Sequence, residues 1–275
     1  MTFDLHAHST VSDGLLSPAA LVQRAAQNGV AVLALTDHDD TAGLAEAAIA
    51  AGAGGLTLVP GVEVSATWER HTVHVVGLHV DIAEASLADG LAQVRAGRDA
   101  RARLIGQSLA RAGIEGAYEG ARRLAANDRL VSRAHFARYL VAQGRACSTR
   151  DVFRRYLTPG KPGYVAHAWA PLADAVGWIR AAGGQAVLAH PGRYELTATG
   201  MRRLLGEFHD AGGDAIEVVS AAHTRAEYET FAGHARTFGF LASAGSDFHG
   251  PGESALDLGR LPPLPSGAVP VWSAW

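Results

Sequence analysis

Short apolar runs alternate with Ala-rich amphipathic stretches along most of this chain, and that alternation restricts its fold more than any other feature. The runs predict seven strands, at residues 3–8, 30–36, 56–64, 72–80, 185–190, 215–220 and 240–245. Helical stretches follow most of them, and the first has Ser17 as its N-cap and Pro18 at its first helical position. Strands that alternate with helices form parallel sheets, and this number of units favours closure into a barrel.

The pattern changes near residue 85. From there to about residue 157 the sequence is helical and Arg-rich, and it contains no good strand. We therefore predict an α/β barrel domain made of residues 1–84 and 166–275. Residues 85–165 are predicted to form a helical insert that contributes to substrate binding, and the Pro-rich segment 261–275 is predicted to wrap the surface.

Composition argues against several classes of protein. The 275 residues are 48% hydrophobic and carry a formal net charge of −3, which is typical of a globular protein and not of a nucleic-acid coat. A single cysteine, Cys147, excludes an intramolecular disulfide and a Cys-rich zinc site. No apolar run reaches the roughly 18 residues of a membrane span, and no signal peptide is recognisable. We predict a cytoplasmic protein with no membrane partner and no obligate protein partner.

Polar clusters recur where the predicted strands end, at the edge on which parallel α/β folds place their active sites. The clusters are Asp4-Leu5-His6-Ala7-His8-Ser9, Thr36-Asp37-His38-Asp39, Gly61-Val62-Glu63, His74, Ala189-His190-Pro191 and Gly245-Ser246-Asp247-Phe248-His249. His6 and His8 point to one side, because residues two apart in a strand share a face. A lone strand histidine is more often packed or exposed than a ligand, but six such clusters favour a metal site. Imidazole and carboxylate together suit zinc, manganese or iron.

These clusters resemble the motifs of the polymerase and histidinol phosphatase (PHP) superfamily, and the resemblance covers nearly the whole chain. It implies a distorted seven-stranded β/α barrel with a trinuclear metal site. It also implies nine metal ligands, with Glu63 as the bridging carboxylate and Asp13 where some relatives use histidine. The nine residues are His6, His8, Asp13, His38, Glu63, His74, His190, Asp247 and His249.

The insert narrows the resemblance to one branch of that superfamily. Residues 132–140 (SRAHFARYL) and 160–165 (GKPGYV) resemble the branch that dephosphorylates nucleoside 3′,5′-bisphosphates and is also reported to trim short RNA from its 5′ end. The resemblance therefore implies a metal-dependent phosphatase. It would hydrolyse the 3′-phosphate of a substrate such as adenosine 3′,5′-bisphosphate and leave a 5′-mononucleotide and phosphate.

The chemistry expected of these residues is phosphoester hydrolysis. Paired divalent ions lower the pKa of a bridging water and clamp the attacking and leaving oxygens. We expect Glu63 and Asp247 to take part in catalysis, and His223, which follows a predicted strand, could protonate the leaving oxygen. A second phosphate needs fixed cations, and arginine can hold it with two parallel hydrogen bonds. The predicted substrate-binding residues are Arg98, Asp99, Arg101, Arg133, His135, Lys161 and Arg193.

The sequence leaves the metal and the substrate partly open. We expect three divalent ions per chain, with manganese favoured over zinc, iron or magnesium. The substrate is a small nucleotide or short RNA, so a 5′-3′ exoribonuclease and a histidinol-phosphatase-like phosphomonoesterase stay as alternatives. A non-catalytic metal-binding module is disfavoured, because all nine ligand positions hold competent residues.

Overall fold

The structure, a computed structural model, describes residues 1–275 and contains eight strands and nine α-helices. The strands are β1 (Phe3–Asp4), β2 (Val32–Leu35), β3 (Thr57–Trp68), β4 (His71–Leu78), β5 (Ala170–Pro171), β6 (Gln185–Leu188), β7 (Ala215–Ser220) and β8 (Leu241–Gly245). The helices are α1 (Pro18–Gln27), α2 (Leu44–Gly54), α3 (Ala85–Arg111), α4 (Ala117–Leu124), α5 (Arg133–Ala142), α6 (Thr149–Val152), α7 (Leu172–Ala181), α8 (Ala198–Asp210) and α9 (Arg225–Phe238). Ser17 caps α1 as predicted, because its side chain accepts the N–H of Ala20.

Seven of the strands form a nearly closed barrel in the order β1-β2-β3-β4-β6-β7-β8, while the short β5 pairs with β3. The last strand returns to the first. There the N–H of Leu5 donates to the carbonyl of Ala244 at 3.0 Å, and Ala7 bridges to Phe248 in parallel. The predicted α/β barrel of seven strands is therefore confirmed.

The expectation of a wholly parallel sheet is wrong at β4, which runs antiparallel to both β3 and β6. Only Glu69 and Arg70 separate β3 from β4, and so short a loop can join only antiparallel strands. Glu69 takes a left-handed φ of 52° in this turn. The other neighbouring pairs around the barrel are parallel, so the carboxyl ends of those strands still meet at one end.

The C-terminal segment closes the opposite end of the barrel. Val271 is fully buried among the barrel-core residues, and the Trp272 ring stacks on Phe3 with their centroids 4.2 Å apart. Trp275 donates from Nε1 to the side chain of Gln185 at 2.6 Å. Phe3 and Gln185 begin β1 and β6. The segment therefore does more than wrap the surface, because it seals the amino-terminal end of the barrel.

Residues 85–165 form α3 to α6 and a π-helical turn at Phe153–Leu157. The 27-residue helix α3 belongs to two cores: Leu87 packs with the barrel, whereas Ile105 packs with the insert's own helices. One continuous helix therefore anchors the insert to the barrel. None of the nine helices combines the length and the apolar character that a bilayer crossing requires.

Candidate active site

The nine residues predicted as metal ligands come together at the carboxyl end of the barrel. They fall into four overlapping groups, and within each group the potential ligand atoms lie within 4.8 Å of one another. The groups are His8-Asp13-His38-His249, His6-Glu63-His190, His6-His8-Asp247 and His38-Glu63-His74. Each of the nine belongs to at least one group and four belong to two, so neighbouring groups share ligands. We call these nine residues the ligand cluster.

Glu63 lies at the centre of the ligand cluster, buried in the middle of β3. Its Oε1 is 2.8 Å from Nδ1 of His74 and 3.0 Å from Nε2 of His190. Its Oε2 is 2.7 Å from Nδ1 of His38 and 3.4 Å from Nε2 of His8. A carboxylate with different imidazoles on its two oxygens is suitably placed to bridge two cations.

The two aspartates complete the ligand cluster on the side of β1 and β8. Oδ1 of Asp13 is 3.3 Å from Nε2 of His249. Oδ1 of Asp247 is 3.2 Å from Nε2 of His8 and 3.6 Å from Nε2 of His6, and those two nitrogens are only 3.1 Å apart. Two imidazole nitrogens with a carboxylate oxygen facing both are a suitable donor set for one cation.

Burial and charge together set the protonation of the ligand cluster. Burial alone would raise the pKa of the Glu63 carboxyl, but the adjacent imidazoles, led by His38 and His74, hold it well below its usual value. Burial also lowers the pKa of His8 to about 3. At neutral pH Glu63 is therefore ionised and His8 is neutral, which are the protonation states that these two residues need as metal ligands.

Some buried polar atoms of the ligand cluster have no hydrogen-bond partner. They include Oδ1 of Asp13, Nδ1 of His38 and Oε2 of Glu63; the last two atoms are 2.7 Å apart, but they are not aligned for a hydrogen bond. Leaving such an atom unsatisfied costs about 1–3 kcal/mol or more, and divalent ions are bound by these donor types. The donor set therefore fits a centre of divalent metal ions.

Glu217 supports the ligand cluster from behind, and it is absent from the set predicted by sequence. Its Oε1 is 2.6 Å from Nδ1 of His6, and its Oε2 accepts the backbone N–H of His190 at 2.6 Å. Nδ1 of His6 carries the hydrogen that faces this carboxylate, which leaves Nε2, on the side of the cluster, as the nitrogen that would bind a metal. The one signal in the sequence is an acidic residue inside the buried strand Ala215–Ser220.

Asp37 fixes the loop that carries His8 and Asp13. Its carboxylate accepts hydrogen bonds from the backbone N–H and the hydroxyl of both Ser9 and Ser12, at 2.6 to 3.2 Å. This loop therefore keeps a defined shape without regular secondary structure. The sequence places Asp37 in a motif, but it does not separate a supporting carboxylate from a ligand.

The ligand cluster opens into a cavity of about 480 Å³ between the barrel and the insert. Six cluster residues line it: Asp13, His38, His74, His190, Asp247 and His249. Five arginines line it as well: Arg98, Arg101, Arg133, Arg150 and Arg193. One cavity thus combines potential metal ligands with concentrated positive charge, which suits a substrate that carries phosphate.

Arg98 is fixed in the wall of this cavity. Its guanidinium pairs with the buried carboxylate of Asp39 and donates to Oγ of Ser65 at 2.7 Å. The ring of Trp169 packs against it, with the centroid 4.9 Å from the guanidinium carbon. Asp39 follows His38 directly in the chain, so this ion pair links the insert to a loop of the ligand cluster.

Arg101 and Arg133 have no carboxylate partner. Arg101 donates to the carbonyl of Val165 at 3.1 Å, and Arg133 lies over the ring of Phe153 at 5.6 Å. Burial lowers the pKa of both side chains, for Arg101 to about 9, and the like charges of neighbouring arginines add to the effect. An anionic ligand would neutralise this uncompensated charge.

Arg193 lies at the mouth of the cavity, as its position shortly after His190 predicts. Its Nη1 donates to Oδ2 of Asp247 at 2.8 Å. By contrast, Asp99 and Lys161 do not line the cavity. Asp99 is half-buried on α3, where it accepts from Arg103 at 2.9 Å and from Tyr118 at 2.8 Å. Lys161 is exposed in the loop after the π-helical turn.

His135 has a structural position in the insert. Its Nδ1 accepts the backbone N–H of Ser132 at 3.0 Å and completes a capping box at the start of α5. Burial lowers its pKa to about 4. The ring is therefore neutral at neutral pH, and it does not supply the positive charge expected from the sequence.

His223 is also engaged by backbone groups. Its Nε2 accepts the N–H of Gly192 at 3.0 Å, and its Nδ1 donates to the carbonyl of Val218 at 3.1 Å. The ring is buried and stacks on Phe231. With both nitrogens occupied, His223 offers no free proton to the cavity, and this geometry does not support the expected role as general acid.

Comparison with known proteins assigns the class of this protein. The family model described as PHP domain matches residues 4–176, and the chain belongs to this family. The family predicted from the strand-end motifs is therefore confirmed.

The similar proteins narrow this class. A 3′,5′-nucleoside bisphosphate phosphatase from Chromobacterium violaceum is 54% identical over 269 residues, which are 98% of this chain and 94% of the relative. The 5′-3′ exoribonuclease Rnm from Salmonella typhimurium is 48% identical over 275 residues, covering 99% of this chain and 93% of the relative. A solved structure from C. violaceum, described as an amidohydrolase with bound sulfate and no metal, superposes with a TM-score of 0.97. It is 53% identical and covers 100% of this chain and 95% of that chain.

Proposed function

We propose that this chain is a metal-dependent phosphatase that hydrolyses the 3′-phosphate of nucleoside 3′,5′-bisphosphates and releases a 5′-mononucleotide and phosphate. The observation that carries the proposal is the single cavity lined by both the ligand cluster and five arginines. In a nucleotide with two phosphates, one phosphate can lie at the ligand cluster and the other at the arginines. The 54% identical relative that bears the name of such a phosphatase supports the same substrate class.

In this proposal the ligand cluster holds three divalent ions per chain, with manganese as the favoured metal and Glu63 as the shared ligand. When bound, such ions lower the pKa of water and stabilise charge on phosphoryl oxygens. The protein keeps its carboxylates ionised for this purpose. Burial would raise the pKa of Asp247, but His249 and His6 beside it hold that pKa well below its usual value.

Asp247 is the second catalytic carboxylate in this proposal, and it orients the attacking water. Its backbone takes a φ of 51°, which is uncommon for a residue other than glycine. Its N–H donates to the carbonyl of His6 at 2.9 Å, and its Oδ2 accepts from Arg193. The residue is thus held through both its backbone and its carboxylate. His223 has no part in this scheme, because both of its nitrogens are engaged.

The second phosphate of the substrate, on the 5′ carbon, is assigned to Arg101 and Arg133. Both residues line the cavity and neither guanidinium has a carboxylate partner. Arg98 stands beside them, but its charge is already paired with Asp39. An anionic phosphate would therefore be stabilised most by Arg101 and Arg133.

A second candidate activity is 5′-3′ exoribonuclease cleavage of short RNA, which the 48% identical exoribonuclease relative favours. The two reactions are closely related. Hydrolysis of a 3′-phosphate and of the first phosphodiester in 5′-phosphorylated RNA both break the bond between phosphorus and a ribose 3′ oxygen. Both release a 5′-mononucleotide, so one site can perform both.

The test is a phosphate-release assay on metal-stripped protein reloaded with Mn²⁺. We expect release from adenosine 3′,5′-bisphosphate, little from adenosine 5′-phosphate, and none after renewed chelation. A 5′-phosphorylated RNA tetranucleotide, analysed for released mononucleotide, tests the second activity in the same preparation. No release from the bisphosphate with Mn²⁺, Zn²⁺, Fe²⁺ or Mg²⁺ would contradict the proposal.

A further inference from the structure

Charge is divided unevenly between the two parts of the chain. Residues 85–165 hold fifteen of the 24 basic side chains and six of the 27 acidic ones, a formal charge of +9. The rest of the chain holds nine basic and 21 acidic side chains, a formal charge of −12. A nucleoside bisphosphate carries only about three to four negative charges. The insert is therefore more basic than the binding of that substrate requires.

Arg150 is the part of this charge that lies at the rim of the cavity. Arg150 lines the cavity and is exposed, and its side chain forms no hydrogen bond or ion pair within the protein. Its neighbour Arg154 differs, because it pairs with Asp151 at 2.7 Å and does not line the cavity. Arg150 is thus a free cation at the opening of the site.

The exposure of the lining arginines increases from the interior to the rim. Arg98 is 8% exposed, Arg101 and Arg133 are half-buried, and Arg150 is exposed. The loops after β7 and β8 add small side chains to the same lining, including Ala222 and Ala255. They leave room for an extended ligand to pass out of the cavity beside Arg150.

We infer that Arg150 binds the first phosphate downstream of the scissile one in single-stranded RNA, and so distinguishes oligonucleotide from mononucleotide substrates. This inference rests on the proposed function, because it uses the same site and the same broken bond. With the 5′-phosphate on Arg101 and Arg133 and the scissile phosphate at the ligand cluster, the remaining strand must leave through the mouth. Single-stranded nucleic acids are held by positive charge that follows their backbone.

Three substrates test whether Arg150 binds the downstream phosphate. They are adenosine 3′,5′-bisphosphate, a 5′-phosphorylated dinucleotide and a 5′-phosphorylated trinucleotide of RNA. Only the trinucleotide has a phosphate downstream of the first scissile one. Arg150→Ala should lower kcat/KM for the trinucleotide about tenfold and leave the other two within about twofold. The dependence of log kcat/KM on log salt should become shallower by about 0.7 for the trinucleotide.

The matched control is Arg123→Ala, which removes an exposed arginine of α4 that does not line the cavity. It should leave all three substrates unchanged. A binding measurement gives a readout that needs no turnover: the anisotropy of a 3′-labelled, 5′-phosphorylated trinucleotide with metal-stripped protein. Arg150→Ala should weaken this binding by a similar factor, and Arg150→Lys should restore part of it.

Equal losses on all three substrates, no loss on the trinucleotide, or a wild-type protein that neither binds nor cleaves it would each overturn the inference. The proposed phosphatase activity is judged separately. Wild-type protein that ignores the bisphosphate but cleaves the trinucleotide in an Arg150-dependent way would refute that activity and uphold this inference. Normal turnover of the bisphosphate with no action on RNA would uphold the phosphatase activity and refute this inference.

Discussion

Oε1 of Glu217 lies 2.6 Å from Nδ1 of His6, on the side of the imidazole that faces away from the ligand cluster. The other oxygen of the same carboxylate accepts the backbone N–H of His190. One buried acid on β7 therefore sets the orientation of two cluster residues that follow β1 and β6. Such supporting carboxylates fix the tautomer of a ligating histidine and raise its affinity for metal.

The change Glu217→Gln should therefore weaken metal binding by about ten- to a hundredfold. A carboxylate accepts on both oxygens, whereas an amide must present N–H to either His6 or the backbone of His190. If it faces His6, the proton moves to Nε2 and blocks that ligand. Competition with a fluorescent chelator measures the affinity, and Glu119→Gln on the exposed face of α4 is the control. Equal affinity in the wild type and Glu217→Gln would show that this contact does not position the histidine.

Part of the ligand cluster was predictable from the residues because strand ends converge in a barrel, which places His6, after β1, beside His190, after β6. Glu63 lies in the middle of β3, and the full set of nine ligands is what the family resemblance implies. The antiparallel direction of β4 was harder to predict from the sequence, because it depends on a turn of two residues and not on the apolar pattern.

The supporting contacts were not predictable, because they join residues far apart in the chain. The Glu217–His6 contact spans 211 positions, and neither residue type indicates its partner. His135 is a different case. Ser132 lies three residues before it, which is the spacing of a capping box, and this local signal could have been recognised.

Glu63→Gln should remove at least one ion per chain and nearly all turnover. The variant keeps the size of the side chain, but an amide has only one acceptor oxygen and no charge. Glu63 has different histidines on its two oxygens, so neighbouring metal positions would be affected together. Elemental analysis of the purified protein counts the ions. The control Glu69→Gln, on the exposed turn after β3, should keep the normal metal content and turnover. A normal metal count in Glu63→Gln would contradict the bridging role.

His135 should make the fold sensitive to acid. Burial lowers its pKa to about 4 in the folded protein, whereas an unfolded histidine has a pKa of about 6.5. As the pH falls, the unfolded state therefore takes up the proton before the folded state does. The contribution of His135 to the free energy of unfolding is complete above about pH 6.5 and is lost as the pH falls toward 4. Between pH 7.5 and 5 the loss amounts to about 2 kcal/mol of unfolding free energy.

The change that isolates this effect is His135→Gln, because glutamine can still accept the N–H of Ser132 in the capping box. Denaturant unfolding at pH 7.5 and pH 5 should show that wild type loses about 2 kcal/mol more than this variant. His209→Gln removes an exposed histidine and should leave the pH dependence as it is. Identical pH dependence in wild type and His135→Gln would mean that the ring is not held neutral.

Arg133 decides between a general phosphatase and one that is specific for bisphosphates. The ligand cluster can hold only the phosphate that is cleaved, so the other phosphate needs cations elsewhere in the cavity. Arg133 lines that cavity without a carboxylate partner, and its pKa is lowered by burial and by neighbouring arginines. Together with Arg101, it is therefore an arginine whose charge an anion would compensate directly.

A charged hydrogen bond contributes roughly 1.5–3 kcal/mol, so Arg133→Ala should lower kcat/KM for adenosine 3′,5′-bisphosphate by about ten- to a hundredfold. Hydrolysis of a small aryl phosphate should change little, because it has no second phosphate to hold. Arg111→Ala, at the exposed end of α3, should leave both substrates unaffected. Equal losses on the two substrates would mean that Arg133 acts on the chemistry or the fold. No loss on either would remove the insert as the element that selects bisphosphates.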